Sequence, residues 1–194
     1  MNKIKTNKIV SRRQIREKVL QILYAHEMTK DPIEPIMTEQ LAEVEDKEII
    51  IFARKLIKHT LESSGDYEKL IVETVEHWDM ERIAILDSII IKMCLSEFFF
   101  FPDIPTKVSI NESIDIAKSF STRNSGKFVN GVADALLAKL TKLNKIKKKG
   151  KGLLTQTSHN EKDKPEIMDK QEDNGKHKVK GKHEAKKKQP ETKI

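Results

Sequence analysis

Cysteine is almost absent from this chain. Cys94 is the single cysteine among 194 residues, so no disulfide can form within the chain. Its neighbours Met93 and Leu95 are apolar, and a free cysteine in such surroundings is typically a small buried hydrophobic side chain. Sparse cysteine is also typical of a reducing compartment. We therefore expect a cytoplasmic protein.

Glycine, proline and aromatic residues are scarce as well. Charged residues make up 35% of the chain and aromatic residues 5%, with 7 glycines and 6 prolines, a composition that favours helices over a β-sandwich. Apolar runs are shorter than the ~20 residues that a membrane-spanning helix requires. The first lysines are not followed by the apolar segment of a signal peptide. We expect a soluble protein with no membrane partner.

Sequence motifs typical of catalytic and metal-binding sites are missing. The chain has no glycine-rich phosphate loop, no G-x-S-x-G elbow and no Cys/His pairs at zinc-binding spacing. Its six histidines are scattered along the sequence. We therefore expect no catalytic residues, no metal site and no cofactor, and we do not expect an enzyme.

Positive charge is concentrated near the end of the chain. Residues 145–194 contain 16 lysines and 8 acidic residues, whereas residues 1–144 contain 21 basic and 22 acidic residues. Residues 155–194 have almost no apolar side chains, so burial cannot offset the entropy of ordering them. The sequence predicts a flexible basic segment at 1–10, a folded domain at 11–143 and a disordered lysine-rich tail at 144–194.

The folded part shows helical periodicity and no strand pattern. About six or seven amphipathic stretches joined by short turns predict an all-α bundle. Ser11 is a plausible N-cap of the first helix, whose opening turns carry arginines. A nearly all-apolar helix that ends before Pro102 should be the central one. Glu97 near its end would be costly unless it is paired or lies at the rim of the core.

Residues 104–137 read as a helix, a polar turn and the start of a second helix. Lys127 and Phe128 fall where the second helix begins, where a cation can hold a phosphate and an aromatic ring can stack a base. The arginines of the first helix offer planar, forked donors that suit phosphate. Together these residues indicate an RNA-contacting helical module.

Several motifs occur in the order found in the NusB family, which residues 8–143 resemble. They are INE at 110–112, KFVNG at 127–131, the arginine-bearing first helix and Leu23-Tyr24. The resemblance implies a fold of two three-helix subdomains. It also implies an antitermination factor that binds boxA RNA of ribosomal RNA transcripts together with NusE. The complex would join NusA, NusG and RNA polymerase.

Site residues are carried over from the resemblance position by position. The implied contacts with RNA are Arg12, Arg13, Arg16, Lys107, Lys127 and Phe128, and the implied contacts with NusE are Tyr24 and Glu81. Two positions depart from the family pattern. Ser88 stands where a basic residue is common, and Gln14 interrupts the arginine cluster.

Two other functions are compatible with the same pattern. One is an RNA-binding module like the domain fused to ribosomal RNA cytosine methyltransferases, although this chain has no methyl-donor domain. The other is a purely structural helical adaptor. The resemblance also leaves a homodimer open, because some members of the family dimerise and others do not.

Overall fold

The computed structural model describes residues 10–75 and 83–153. These residues form seven α-helices and no strand, which confirms the predicted all-α class. A short 3₁₀ helix, Gly150–Leu153, follows the last α-helix. The α-helices are α1 (Arg12–Thr29), α2 (Ile33–Leu41), α3 (Lys47–Glu62), α4 (Ser64–Val72), α5 (Ile85–Phe100), α6 (Thr106–Phe120) and α7 (Ser125–Lys142).

The helix α1 begins with a reciprocal cap. Gln14 N donates to Ser11 Oγ at 3.2 Å, and Ser11 N donates to Gln14 Oε1 at 2.9 Å. This capping box satisfies two amides that the helix would otherwise leave unpaired. The prediction of Ser11 as N-cap is confirmed. Gln14, which interrupts the arginines in the sequence, helps to start the helix that carries them.

The helix α5 lies at the centre of the bundle. It packs against α1, α3, α4, α6 and α7. Ile91, Leu95 and Phe98 have no exposed surface, as expected for a helix that is apolar on most sides. Cys94 is also buried, and burial raises the pKa of its thiol to about 12. The predicted central position of this helix is confirmed.

Two groups of three helices meet on α5 and α3. In the first group α1 packs against α2 and α3, and in the second α5, α6 and α7 pack against one another. The contacts of α5 with α1 and α3 join the two groups, and α4 packs against α3, α5 and α7. This arrangement agrees with the expected pair of three-helix subdomains. It brings the start of α1 beside α6.

The chain beyond α7 differs from the sequence prediction. Residues 144–153, here called the C-terminal strap, pack back onto the end of α5 instead of being disordered. Lys148 is 7% exposed, and its ammonium donates to the carbonyl oxygens of Glu97 and Phe101. The boundary predicted at Leu143 missed this strap because a lysine-rich sequence gives no signal of burial. Residues 1–9 and 154–194, predicted to be flexible, lie outside the described residues.

Candidate RNA-binding surface

Arg12 and Arg13 are exposed in the first turn of α1. The Arg12 guanidinium lies 5.2 Å from the centre of the Phe52 ring. Arg13 Nη1 donates to Asp115 Oδ2 of α6 at 3.0 Å, and the Arg13 side chain remains 44% exposed. Ring and carboxylate hold the two guanidinium groups in place while leaving them accessible to an anion.

Arg16 is placed differently from its two neighbours. It is 4% exposed, and its guanidinium forms two hydrogen bonds with the Glu97 carboxylate, Nε to Oε1 at 2.6 Å and Nη2 to Oε2 at 3.1 Å. Ser109 Oγ also donates to Glu97 Oε2 at 2.6 Å. Glu97 is therefore paired, which is one of the two environments predicted for it. The interpretation of Arg16 as a direct phosphate contact does not fit this geometry, because the fork that would hold a phosphate already holds a buried carboxylate.

The INE motif of α6 divides its three side chains among three environments. Ile110 is buried in the core and Asn111 is exposed. Glu112 Oε2 lies 3.7 Å from Arg16 Nη1 and is buried. The motif thus connects the core, the surface and the buried ion pair that joins α1, α5 and α6.

A groove of about 400 Å³ opens between the start of α1 and the start of α6. Three arginines, one lysine and two acidic residues line it together with three apolar residues: Arg12, Arg13, Arg16, Lys151, Asp103, Glu112, Ile104, Pro105 and Val108. Val108 is 41% exposed, so the groove offers an apolar wall beside its cations. Such a mixture suits a nucleotide, which presents phosphate oxygens and an apolar base face.

The second predicted group lies at the start of α7. Lys127 is exposed, and Phe128 is partly buried and packed against the core. The backbone N–H groups of Lys127 and Phe128 both donate to Asn124 O at 3.1 Å. These two amides are therefore already hydrogen-bonded, so a ligand at the start of α7 would contact side chains and not these amides.

The turn before α7 is fixed to the central helix. Ser125 Oγ donates to Asp87 Oδ2 of α5 at 2.8 Å, and Thr122 N donates to Ser125 Oγ at 3.1 Å. Asp87 is 5% exposed. A buried carboxylate anchored in this way sets the position of the turn, and with it the first residues of α7.

A chain of contacts joins the arginines of α1 to the start of α7. Asp115 accepts the hydrogen bond from Arg13, and its other oxygen lies 3.6 Å from Lys118 Nζ. The stem of Lys118 crosses Gly126, where an added Cβ would lie 2.8 Å from Lys118 Cγ. Gly126 immediately precedes Lys127. The structure thus links Arg13, through Asp115 and Lys118, to Gly126, the residue before Lys127.

Lys118 was missed by the sequence analysis. Together with Lys107 and Asn111 it shares one face of α6, because residues four and seven positions apart recur on the same side of a helix. All three side chains are exposed. This spacing was visible in the sequence, but the contact of Lys118 with Gly126 depends on the turn between the two helices.

The family model described as "NusB family" matches residues 13–139 of the chain. The chain belongs to the NusB family. Proteins named Transcription antitermination protein NusB are similar to it. The one from Chloroherpeton thalassium is 35% identical over 151 residues, covering 75% of this chain and 70% of that protein. The one from Salinibacter ruber is 38% identical over 147 residues, covering 74% and 91%.

Solved NusB structures share the fold. NusB from T. maritima superposes with a TM-score of 0.64 and 34% identity, covering 68% of this chain and 94% of that one. The crystal structure of antitermination factors NusB and NusE in complex with dsRNA superposes with a TM-score of 0.60. Its chain is 18% identical, and the match covers 66% of this chain and 96% of that one. At that identity the second match shows the fold alone.

The residues predicted by the NusB resemblance to meet NusE are only partly described. Tyr24 of α1 is 37% exposed, and Met28, one turn later on the same face, is 54% exposed. Glu81 lies outside the described residues. Tyr24 and Met28 form an exposed, largely apolar pair at the opposite end of α1 from the arginines.

Within the described ranges, 10–75 and 83–153, no group of three or more His, Cys, Asp or Glu residues is arranged to hold a metal ion. No helix among these residues is long and apolar enough to cross a membrane.

Proposed function

We propose that this NusB-family protein is a transcription antitermination factor that binds boxA RNA of ribosomal RNA transcripts together with NusE. The complex would act with NusA, NusG and RNA polymerase. Support comes from the family membership and from relatives that carry the name Transcription antitermination protein NusB. In this role the protein is a binding factor and not an enzyme, working in the cytoplasm where transcription takes place.

The observation that carries the proposal is the chain of contacts from Arg13 through Asp115 and Lys118 to Gly126, along which exposed cations would form a band. We define this band as Arg12, Arg13, Lys107, Lys118 and Lys127. The part of the domain before residue 145 is close to electrically neutral, so a local band is a better sign of an anionic partner than the overall charge. Single-stranded RNA needs such a track for its phosphates and an aromatic side chain for its bases.

Each part of the band has a distinct role in RNA binding. Arg12 and Arg13 present forked donors that hold a phosphate with two hydrogen bonds. Lys118 and Lys127 add point charges farther along the strand. Phe128, which is partly buried, would stack a base, an interaction worth ~1–3 kcal/mol. Asp115 keeps Arg13 and Lys118 ordered before RNA arrives, which lowers the entropy lost on binding.

NusE would dock at the other end of α1. Tyr24 and Met28 supply exposed apolar surface, and Glu81 would add a negative charge suited to a basic ribosomal protein. Arg12 and Tyr24 are twelve residues apart on one helix, which corresponds to about 18 Å at 1.5 Å per residue. A single helix can therefore present separate contacts to RNA at its start and to protein near its end.

The decisive measurement is the affinity of the mixture with NusE for boxA RNA and for a scrambled RNA of equal length. We expect tighter binding to boxA and a strong fall in affinity with salt. Equal affinity for the two RNAs would contradict the antitermination role. Binding to NusE with no RNA binding would instead favour the structural adaptor.

Lys118 provides a sharp test of the band. We expect Lys118→Ala to weaken boxA binding about fivefold and to reduce the salt slope by about 0.7, as loss of one phosphate contact to single-stranded RNA does. Lys69→Ala is a matched control. Both lysines pair with an aspartate three residues earlier, at 3.6 Å for Lys118 and 3.9 Å for Lys69, and Lys69 lies on α4. Equal losses in the two variants would mean that net charge, and not position, governs RNA binding.

A further inference from the structure

The C-terminal strap begins at a defined helix end. Asn144 has φ +52°, Lys145 N donates to Leu140 O, and Asn144 N donates to Thr141 O, both at 3.0 Å. This pair of bonds is the Schellman motif, with asparagine at the left-handed position. The motif stops α7 and turns the chain back toward the end of α5.

Alternate side chains of the strap face the protein. Ile146 is partly buried, Lys148 is buried and Gly152 is buried. The residues between them, which are Lys145, Lys147, Lys149 and Lys151 together with Gly150, are exposed. The strap runs through residues 145–149 into the 3₁₀ helix Gly150–Leu153, and docking its inward residues presents the lysines between them to solvent. The exposed set is a row of lysines.

Lys148 fixes the strap by capping α5. Its Nζ donates to Glu97 O at 2.8 Å and to Phe101 O at 2.9 Å. Glu97 belongs to the last turn of α5 and Phe101 is its C-cap residue, so the ammonium lies at the negative end of the helix dipole. It adds a second donor to two carbonyls that already accept from Phe101 N and Ile104 N. Glu97 thus pairs with Arg16 through its carboxylate and accepts a hydrogen bond from Lys148 of the strap through its backbone carbonyl.

Backbone contacts complete the docking. Lys149 N donates to Pro102 O at 3.0 Å. Gly152 packs so closely on that peptide group that an added Cβ would lie 2.1 Å from Pro102 O. Any side chain at position 152 would therefore collide with Pro102. This close packing of Gly152 also fixes the position of the neighbouring Lys151.

We propose that the C-terminal strap extends the RNA-binding surface, with Lys151 as a further phosphate-binding residue in the arginine groove. The inference deepens the proposed function and rests on it. Lys151 lines the groove together with Arg12 and Arg13, so three cations from two ends of the chain converge on one opening. The NusB-family match ends at residue 139, so this contact is supplied by a part of the chain that lies beyond the matched region.

Charge and accessibility both favour a phosphate as the ligand of Lys151. Its side chain is exposed, and the groove already holds Asp103 and Glu112, which balance part of the positive charge in the absence of RNA. An RNA phosphate entering the groove meets both the forks of Arg12 and Arg13 and the point charge of Lys151. The RNA strand would then run from the strap across α1 and α6 to α7.

The test compares Lys151→Ala with Lys147→Ala in the full-length protein mixed with NusE. The two lysines are both exposed in the strap and carry the same charge, but only Lys151 lines the groove. We expect Lys151→Ala to weaken boxA RNA binding about fivefold and to lower the salt slope by about 0.7. We expect Lys147→Ala to change both by much less.

A second variant tests the docking of the strap. Lys148→Met removes the two bonds to the end of α5, so it should weaken RNA binding about as much as Lys151→Ala does. Because both changes act through one contact, the double variant should be no weaker than Lys151→Ala alone. Additive losses would mean that the strap does not position Lys151.

The outcomes separate the inference from the proposed function. If the unmodified protein with NusE does not prefer boxA over scrambled RNA, the proposed function fails. If it does prefer boxA while Lys151→Ala binds like Lys147→Ala, the role of Lys151 fails and the antitermination role stands. Tighter binding by Lys151→Ala or Lys148→Met would show that the strap obstructs the groove, which also overturns the inference.

Discussion

At the scale of single residues, three arginines within the first two turns of α1 have different environments. Arg12 and Arg13 point to the surface, whereas Arg16 enters the interior and meets Glu97. One helical turn separates Arg12 from Arg16, yet Arg16 Nη1 reaches back to donate to Arg12 O at 3.3 Å. The buried pair therefore supports the backbone that carries the exposed arginines, so Arg16 contributes to the surface by positioning it.

Arg16→Met separates a structural role from a direct RNA contact. Removing one partner of a buried ion pair leaves the other charge uncompensated, which costs about 3–5 kcal/mol. We expect a loss of that size in the free energy of unfolding measured with urea. Arg13→Ala removes an exposed pair and should cost less than about 1 kcal/mol.

RNA binding should separate the same two variants in the opposite sense. Relative to the free energy of unfolding that each variant loses, Arg13→Ala should weaken boxA RNA binding more than Arg16→Met does. Arg13→Ala should weaken boxA binding while the protein stays folded. If Arg16→Met left the free energy of unfolding unchanged and reduced RNA affinity, Arg16 would be a direct contact, as the sequence analysis predicted.

At the scale of elements, the packing of α6 on α7 depends on a glycine at the start of α7. Gly126 is crossed by the stem of Lys118, and a Cβ there would collide with Lys118 Cγ. Gly131, in the middle of the same helix, is exposed and has no neighbouring atom within 4 Å of an added Cβ. Gly131 therefore makes no close helix contact, and Gly126 is the glycine that α6 approaches closely.

The two glycines provide a matched pair of substitutions. Gly131→Ala should stabilise the protein by about 0.5–1 kcal/mol, because alanine loses less backbone entropy in a helix. Gly126→Ala should gain less or nothing, since Lys118 must move, and it should weaken boxA binding. Urea unfolding and RNA titration of both variants measure these effects. Equal stabilisation by the two changes would contradict the close approach of Lys118.

How much of the fold and of the RNA-binding surface could be predicted depended on the sequence separation of the interacting residues and on the groups they contact. Helical stripes and the Ser11 cap were visible because they depend on neighbours within a few residues. The pairing of Arg16 with Glu97 joins positions 81 residues apart, and the sequence indicated only that Glu97 required a partner or a place at the rim of the core. The docking of Lys148 could not be predicted, because the strap binds to backbone carbonyls, which every sequence has.

At the scale of the whole molecule, stability is distributed unevenly. The helix α5 is surrounded by five other helices, whereas the C-terminal strap lies at the surface and is held by few bonds. Local opening requires little free energy where few apolar contacts are broken. The core of the bundle and the strap should therefore open independently.

Hydrogen exchange of backbone amides measures this difference. We expect the amides of Ile91 and Leu95 in α5 to exchange only through global unfolding. The amide of Lys149, bonded to Pro102 O, should exchange through a local opening with a smaller free energy. Equal protection at these positions would mean that the strap unfolds together with the bundle.

Because buried and exposed side chains alternate along the strap, the number of residues between the end of α7 and Lys148 is critical. Asn144 ends α7, and four residues later Lys148 caps α5. Insertion of one residue between them would invert the register, turning inward the lysines that now face solvent and expelling the side chain that anchors the segment. Insertion of two residues would restore the register but lengthen the connection. The distance between the helix end and the anchor is thus encoded by the number of residues between Asn144 and Lys148.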